Sequence, residues 1–141
     1  MTVPNTVKNI GNYAFYYCYS TYASALTLPS ALTSIGTYAY QYCYNLKTLE
    51  IPSSLTSIGN TAFSGCRALS SITDYRLTAQ TVGPTTFGST TGTSKTTYTG
   101  YSTRGSNKLR IYSNATGYDS SYWLDPLQNA SKCGFSIEYI D

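Results

Sequence analysis

Cys18, Cys43 and Cys66 stand 25 and 23 residues apart, and three thiols at near-equal spacing could do one of three things. They could form a disulfide, hold a soft metal ion, or pack as a column of small apolar side chains. If successive repeats stack as neighbouring strands, the sulfurs fall about 5 Å apart, which alone does not forbid a bridge. We read the column as reduced and buried, and Cys133, outside the spacing, as unpaired. The second chemical group is phenolic. Of the 16 tyrosines, Tyr13/Tyr38, Tyr17/Tyr42 and Tyr19/Tyr44 form pairs in that same register. Stacked coils would let those rings lie offset over one another, either as structural packing or as a platform for a ligand.

Other chemistry is scarce. The chain has no histidine, which removes the usual general base, the usual triad and the commonest metal ligand. Its acids are Glu50, Asp74, Asp119, Asp125, Glu138 and Asp141, too few and too scattered for a two-carboxylate hydrolase. Asp119 and Asp125 read as turn and cap residues, and their spacing misses a calcium loop. No glycine-rich loop follows a strand and opens a helix. Asn114-Ala115-Thr116 and Asn129-Ala130-Ser131 match the glycosylation triplet, which matters only in a eukaryotic secreted protein. Arg76, Lys95, Arg104, Lys108 and Arg110 form a basic stretch interleaved with Tyr98, Tyr101 and Tyr112. It reads as a solvated loop rather than a nucleic-acid site, and a net charge of +3 argues the same way. No cofactor is expected.

The elements that position these groups are repeats. Pro4, Pro29 and Pro52 keep the cysteine gaps, as do Ile10, Ile35 and Ile58, then Gly11, Gly36 and Gly59, and the pairs Ala14-Phe15, Ala39-Tyr40 and Ala62-Phe63. The clearest copy is LKTLEIPSSLTSIGNTAFSGC, Leu46 to Cys66. Leu49 and Ile51 sit two apart, the period of a strand with both side chains on one face. Pro52 ends that strand. Ala62, Phe63 and Cys66 have the spacing of one helical turn. Such a unit cannot bury its apolar edge alone, so a period in the low twenties predicts a solenoid of leucine-rich type. The two extra residues of the first copy fall within Cys18 to Ala23.

The pattern IPSSLTSIGNTAFSGCRALSSI resembles the BspA-like leucine-rich repeat of bacterial and protist surface proteins, closely over residues 3 to 74. The resemblance implies an α/β fold, a right-handed β-α superhelix forming a short solenoid with a β-rich C-terminal cap. It also implies extracellular or cell-surface location, a role in adhesion or protein binding, and no catalytic residues.

Residues 1–75 read as three repeats of 23–25 residues. Residues 76–108 read as a degenerate fourth repeat with a Ser/Thr/Gly-rich insertion, in which Val82-Gly83 matches Ile58-Gly59 and Phe87 matches Phe63. Residues 109–141 read as a capping unit. Asp74 takes the inward place of Leu28 and Ile51, so the stack is expected to open or change geometry there. In the tail, Asp125-Pro126 suits a helix start and Gly134 its end. Phe135, Ile137 and Tyr139 alternate as a half-buried strand. Tyr118 and Trp123 resemble the family's terminal unit. Val3-Pro4 corresponds to Ile51-Pro52, so the chain reads as a piece of a longer protein with coils upstream. No segment has the signal-peptide pattern, and no apolar run approaches the ~20 residues of a membrane helix.

Two surfaces are candidates for binding. One carries Tyr17, Tyr19, Tyr42 and Tyr44. The other is the outer face of the strands, where Ser24/Lys47/Ser70 and Thr27/Glu50/Thr73 form columns around Lys47 and Glu50. The tyrosines are the stronger anchors, because each ring buries large area at small entropic cost. The expectation is a non-enzymatic surface or secreted module that binds a protein partner or a glycan. The alternative is an accessory glycan-binding or spacer region of a larger carbohydrate-active or surface protein.

Overall fold

The computed structural model describes residues 2–18, 24–79, 82, 85–87, 108–116 and 136–141. Strands β2 (Ala25–Thr27), β4 (Thr48–Ile51), β6 (Ser71–Asp74), β7 (Lys108–Tyr112) and β8 (Ser136–Ile140) form one five-stranded sheet in that order. Strands β1 (Asn9–Ile10), β3 (Ser34–Ile35) and β5 (Ser57–Ile58) form a second sheet of three. Every pairing is parallel. This is the architecture of a parallel solenoid: each of the first three coils contributes one strand to each sheet, and β7 and β8 extend the long sheet.

The registers follow the repeat. Ile10 faces Ile35 and Ile35 faces Ile58, while Leu26, Leu49, Ile72 and Leu109 align across the long sheet. All of these side chains are buried. In β4 exposed Thr48 and Glu50 alternate with buried Leu49 and Ile51, as period-2 patterning requires. Full burial of each such aliphatic is worth about 1.5–3 kcal/mol. The coil offset is 25 at the Ile10–Ile35 pair and 23 at the Ala25–Thr48 pair, so the two extra residues lie between β1 and β2.

The third side of each coil is not helical, which corrects the β-α superhelix reading. No described residue is in a helix. Instead, alternate amides go to different acceptors. The N–H groups of Tyr13, Phe15 and Tyr17 donate to the carbonyls of Thr37, Ala39 and Gln41 on the next coil. Those of Ala14, Tyr16 and Cys18 donate three residues back, to Gly11, Tyr13 and Phe15. The second coil repeats this toward the third: Tyr38, Tyr40 and Tyr42 donate to Asn60, Ala62 and Ser64. Inter-coil bonds thus take the amides that a helix would have paired internally. This geometry needs left-handed backbone at Tyr13, Tyr17, Tyr38, Tyr42 and Thr61 (φ 58–61°) and at Gly65 (φ 75°).

Inside the coils, Phe15, Tyr40, Phe63 and Phe87 form one continuous ring stack. Successive centroids are 4.9, 5.3 and 5.9 Å apart, with planes within 14° of parallel. The match of Phe87 to Phe63 is therefore physical contact, and Val82 joins the same core.

At Asp74 the stack does not open. β6 goes on to pair with β7, but the pairs end at Thr73–Arg110, one residue short of Asp74. The buried Asp74 carboxylate accepts the Arg76 N–H at 3.1 Å, and the Arg76 guanidinium donates to the Leu55 carbonyl at 2.8 Å. Pairing resumes at the Thr78–Thr116 bridge. The geometric change is thus confined to one bend, at which a local donor meets one oxygen of the acid. β8 extends the long sheet over five residue pairs; Ile137 packs on the core while Tyr139 is exposed. Of the expected loop at 88–108 all but Lys108, the first residue of β7, lies outside the described residues, as do the helix near 125–134, Tyr118, Trp123, Cys133 and Phe135. No helix of the described chain is long and apolar enough to cross a membrane.

Candidate binding surface

The left-handed residues decide where the tyrosines go. A positive φ turns the side chain away from the coil interior, and non-glycine residues pay of order 1–2 kcal/mol for it. Tyr13, Tyr38 and Thr61 occupy one such column, and Tyr17, Tyr42 and Gly65 the other. The rings meet across the coils. Tyr13 stacks on Tyr38 at 4.8 Å with planes 16° apart, and Tyr17 lies 4.6 Å from Tyr42 with planes tilted by 51°. In the third coil the columns end in Thr61 and Gly65, which have no ring.

Tyr16 joins the two columns, touching Tyr13 at 5.5 Å, Tyr17 at 4.7 Å and Tyr42 at 6.1 Å. Tyr44 closes the group at 5.9 Å from Tyr42 and 6.3 Å from Tyr17. The Arg67 guanidinium sits 4.5 Å over the Tyr44 ring, a cation–π contact that orients that ring. Six phenols thus form a single contact network, with Tyr13, Tyr16 and Tyr17 exposed and Tyr38, Tyr42 and Tyr44 half-buried. Burial, then the neighbouring Tyr17, Tyr16 and Tyr44, push the Tyr42 phenol above its usual pKa, with Arg67 opposing. A phenol hydroxyl both donates and accepts, so each ring of the network carries a polar tip.

Of the residues singled out in the sequence, Tyr17, Tyr42 and Tyr44 come together here, and Tyr19 lies outside the described residues. Tyr16 was missed because its repeat positions hold Gln41 and Ser64, so no pair announces it. Its only signal is the Tyr13-x-x-Tyr16 spacing, closed by the Tyr16 N–H on the Tyr13 carbonyl. Lys47 and Glu50 are on the outer face of the long sheet, both exposed. Glu50 accepts a long bond from the Thr27 hydroxyl at 3.4 Å. Among the described residues the ion pair on this face is Arg110–Glu138, 3.0 Å, with both side chains nearly half exposed, so it contributes little.

The short sheet carries a shallow groove of about 720 Å³. Asn9, Ser34 and Ser57 line one lip, Asn12, Thr37 and Asn60 the other, and Gly11, Gly36 and Gly59 the floor. Part of its polarity is already used: the Asn9 amide oxygen accepts from the Ser34 hydroxyl at 2.7 Å, and that of Asn12 from the Thr37 N–H at 2.8 Å.

The cysteine column is a run of packed thiols. Cys18, Cys43 and Cys66 are free thiols. The Cys43 S–H donates to the Phe15 carbonyl at 3.3 Å and the Cys66 S–H to the Tyr40 carbonyl at 3.1 Å. Burial pushes the Cys66 and Cys18 thiols up, whereas the hydrogen bond from Cys66 draws the Cys43 thiol down against its own burial. Among the described residues no three His, Cys, Asp or Glu side chains gather as a metal site.

A search of curated proteins and a search of solved structures give no match. Residues 1–112 match the family model described as BspA type leucine rich repeat region (6 copies). Together with the stacked parallel coils, that match over most of the sequence establishes that the chain belongs to the BspA-type leucine-rich repeat family.

Proposed function

We propose that this chain is a non-enzymatic, adhesin-like module, displayed at a cell surface or secreted, that binds a protein partner through its tyrosine face. Repeats of this type are commonly surface modules for protein–protein interaction. The observation that carries the choice of face is the six-ring network, held by backbone ladders and open to solvent on its first coil. Rigid rings with polar tips are what protein interfaces enrich. The long-sheet face offers mainly Ser and Thr with the exposed charges Lys47, Glu50, Lys108, Arg110 and Glu138, and few aromatic anchors.

A second reading, an accessory glycan-binding region, is favoured by the groove on the short sheet. Its lips are uncharged amides and hydroxyls repeating along the coil axis, which suits hydroxyl-rich ligands. Probing an array of extracellular proteins and glycans with the intact chain separates the two. Protein partners lost on Tyr17→Ala/Tyr42→Ala substitution support the first reading. Glycan binding that survives that substitution favours the second.

A further inference from the structure

Tyr17 and Tyr42 belong to successive coils, and their separation of 4.6 Å is the shortest between ring centroids among the described pairs. The main chain beneath each ring is fixed. The Tyr17 N–H is bonded to the Gln41 carbonyl and the Tyr42 N–H to the Ser64 carbonyl, each at 2.9 Å, and both residues sit in the left-handed region. Tyr13 (55% exposed), Tyr16 (41%) and Tyr17 (38%) give a dissolved oxidant access to the network. Tyr16 links all of them to Tyr42 through edge contacts.

We propose that Tyr17 and Tyr42 are a site of oxidative phenol coupling, at which hydrogen peroxide acting through a haem peroxidase joins the first two coils by a carbon–carbon bond. Each phenol gives up one electron and its hydroxyl proton, leaving a phenoxyl radical on each ring. The two electrons and two protons reduce one hydrogen peroxide to two waters. The radicals pair as a bond between the carbons ortho to the two oxygens. The hydrogens on those carbons then move to the oxygens as protons, restoring two phenols in a dityrosine. A radical formed at Tyr13 or Tyr16 reaches the pair by exchange with neighbouring phenols.

Three features select Tyr17–Tyr42. The stacked Tyr13–Tyr38 pair, 4.8 Å apart with planes at 16°, keeps its ring edges about equally far apart, whereas the 51° tilt of Tyr17 against Tyr42 at 4.6 Å brings one pair of edges closer. Fixed proximity makes the second encounter intramolecular, with the large effective concentration of a pre-oriented pair. The T-shaped Tyr16–Tyr17 contact, with planes at 68°, aims one ring's edge at the other's face and brings the ortho edges together less well. The product would staple residues 17 and 42, constraining the unfolded chain much as a disulfide does.

The test treats the dilute full-length chain with hydrogen peroxide and a haem peroxidase. The expected product is a monomer lighter by two hydrogens, with dityrosine fluorescence and a raised melting temperature. Cleavage between Leu26 and Leu32 should leave the fragment carrying Tyr17 bonded to the fragment carrying Tyr42. The variants Tyr17→Phe and Tyr42→Phe keep the rings and should melt as the parent does, yet lose this link. Tyr75→Phe, outside the network, should keep it. The proposal is overturned if the folded chain fails to couple under conditions that couple the urea-unfolded chain. It is equally overturned if links join only separate molecules or other tyrosines, or if the link survives in either Phe variant.

Discussion

The Cys66 thiol donates its hydrogen to the Tyr40 carbonyl oxygen at 3.1 Å, across the boundary between two coils. The same bond joins Cys43 to Phe15 one coil earlier. Each of these carbonyls also accepts a main-chain N–H from its own coil, Phe15 from Cys18 and Tyr40 from Cys43, so the thiol occupies the carbonyl's second lone pair. A side chain here must be small, apolar and a weak donor, which describes cysteine.

Thiol reactivity checks this directly. In the native chain Cys43 and Cys66 should react slowly with a thiol reagent and be released together on unfolding. A native disulfide among Cys18, Cys43 and Cys66 would contradict the prediction.

Alkaline pH should unfold the chain. Burial raises the Cys66 thiol above its ordinary value of 9.0 and the Tyr40 phenol above 10.0. For both groups the folded pKa lies above the unfolded one, so between the two values the unfolded chain binds fewer protons. The stability these two groups contribute is fully present below pH 9.0 and falls as pH rises past 9.0 and 10.0, with Cys43, whose thiol the Cys66 bond lowers, opposing the trend. Urea melts across that range should show the decline, with a smaller slope in Tyr40→Phe.

Tyr40 carries a second prediction. Its ring is sandwiched between Phe15 and Phe63, and its buried hydroxyl has no hydrogen-bond partner. Replacing tyrosine by phenylalanine keeps the stack and removes an unpaired polar group, so Tyr40→Phe should stabilise the fold by about 1 kcal/mol or more. A loss of stability by chemical denaturation would show that the hydroxyl is satisfied.

The glycine floor of the groove gives a graded pair. A Cβ at Gly59 would lie 2.5 Å from the Thr37 backbone nitrogen and 2.7 Å from the Gly36 carbonyl carbon, whereas one at Gly11 meets nothing within 4 Å. Gly59→Ala must push two coils apart and should cost about 1–3 kcal/mol or more. Gly11→Ala should be neutral or slightly stabilising, through the unfolded chain. Equal effects in thermal melts would refute the close coil approach.

The stack and its registers were legible because the repeat sets them: Ile10, Ile35 and Ile58 align in space as they align in sequence. The turn face was not. Ala62, Phe63 and Cys66 keep the same spacing whether a residue's amide bonds within its own turn or to a neighbouring coil. Only the inter-coil acceptors, such as Thr86 for the Phe63 N–H, distinguish the two. Left-handed tyrosines are equally silent, since tyrosine has no preference for positive φ; Gly65, in line with Tyr17 and Tyr42, was the one local hint. Asp74 looked like a break because its partners, the Arg76 amide among them, depend on a bend the periodicity does not encode.

The tail is proposed to act as a cap. Ile72 is fully buried beneath β7, where Leu109 pairs with it. Deleting residues 109–141 should expose that column, giving aggregation or loss of cooperative unfolding, as solenoid ends without caps do. A truncated chain that stays monomeric with unchanged melting would oppose this.

The central claim, that binding lies on the tyrosine face, is tested most directly by calorimetry with the partner the array returns. The parent chain is compared with Tyr17→Ala, Tyr42→Ala, Tyr44→Ala and the double variant Lys47→Ala/Glu50→Ala, each first matched for folding by thermal melt. Truncating a hot-spot ring should weaken binding by about 1–2 kcal/mol or more, while removing the exposed Lys47 and Glu50 should cost less and mainly change the salt dependence. Affinity lost with Lys47 and Glu50 but kept in the tyrosine variants would move the site to the long sheet and contradict the account.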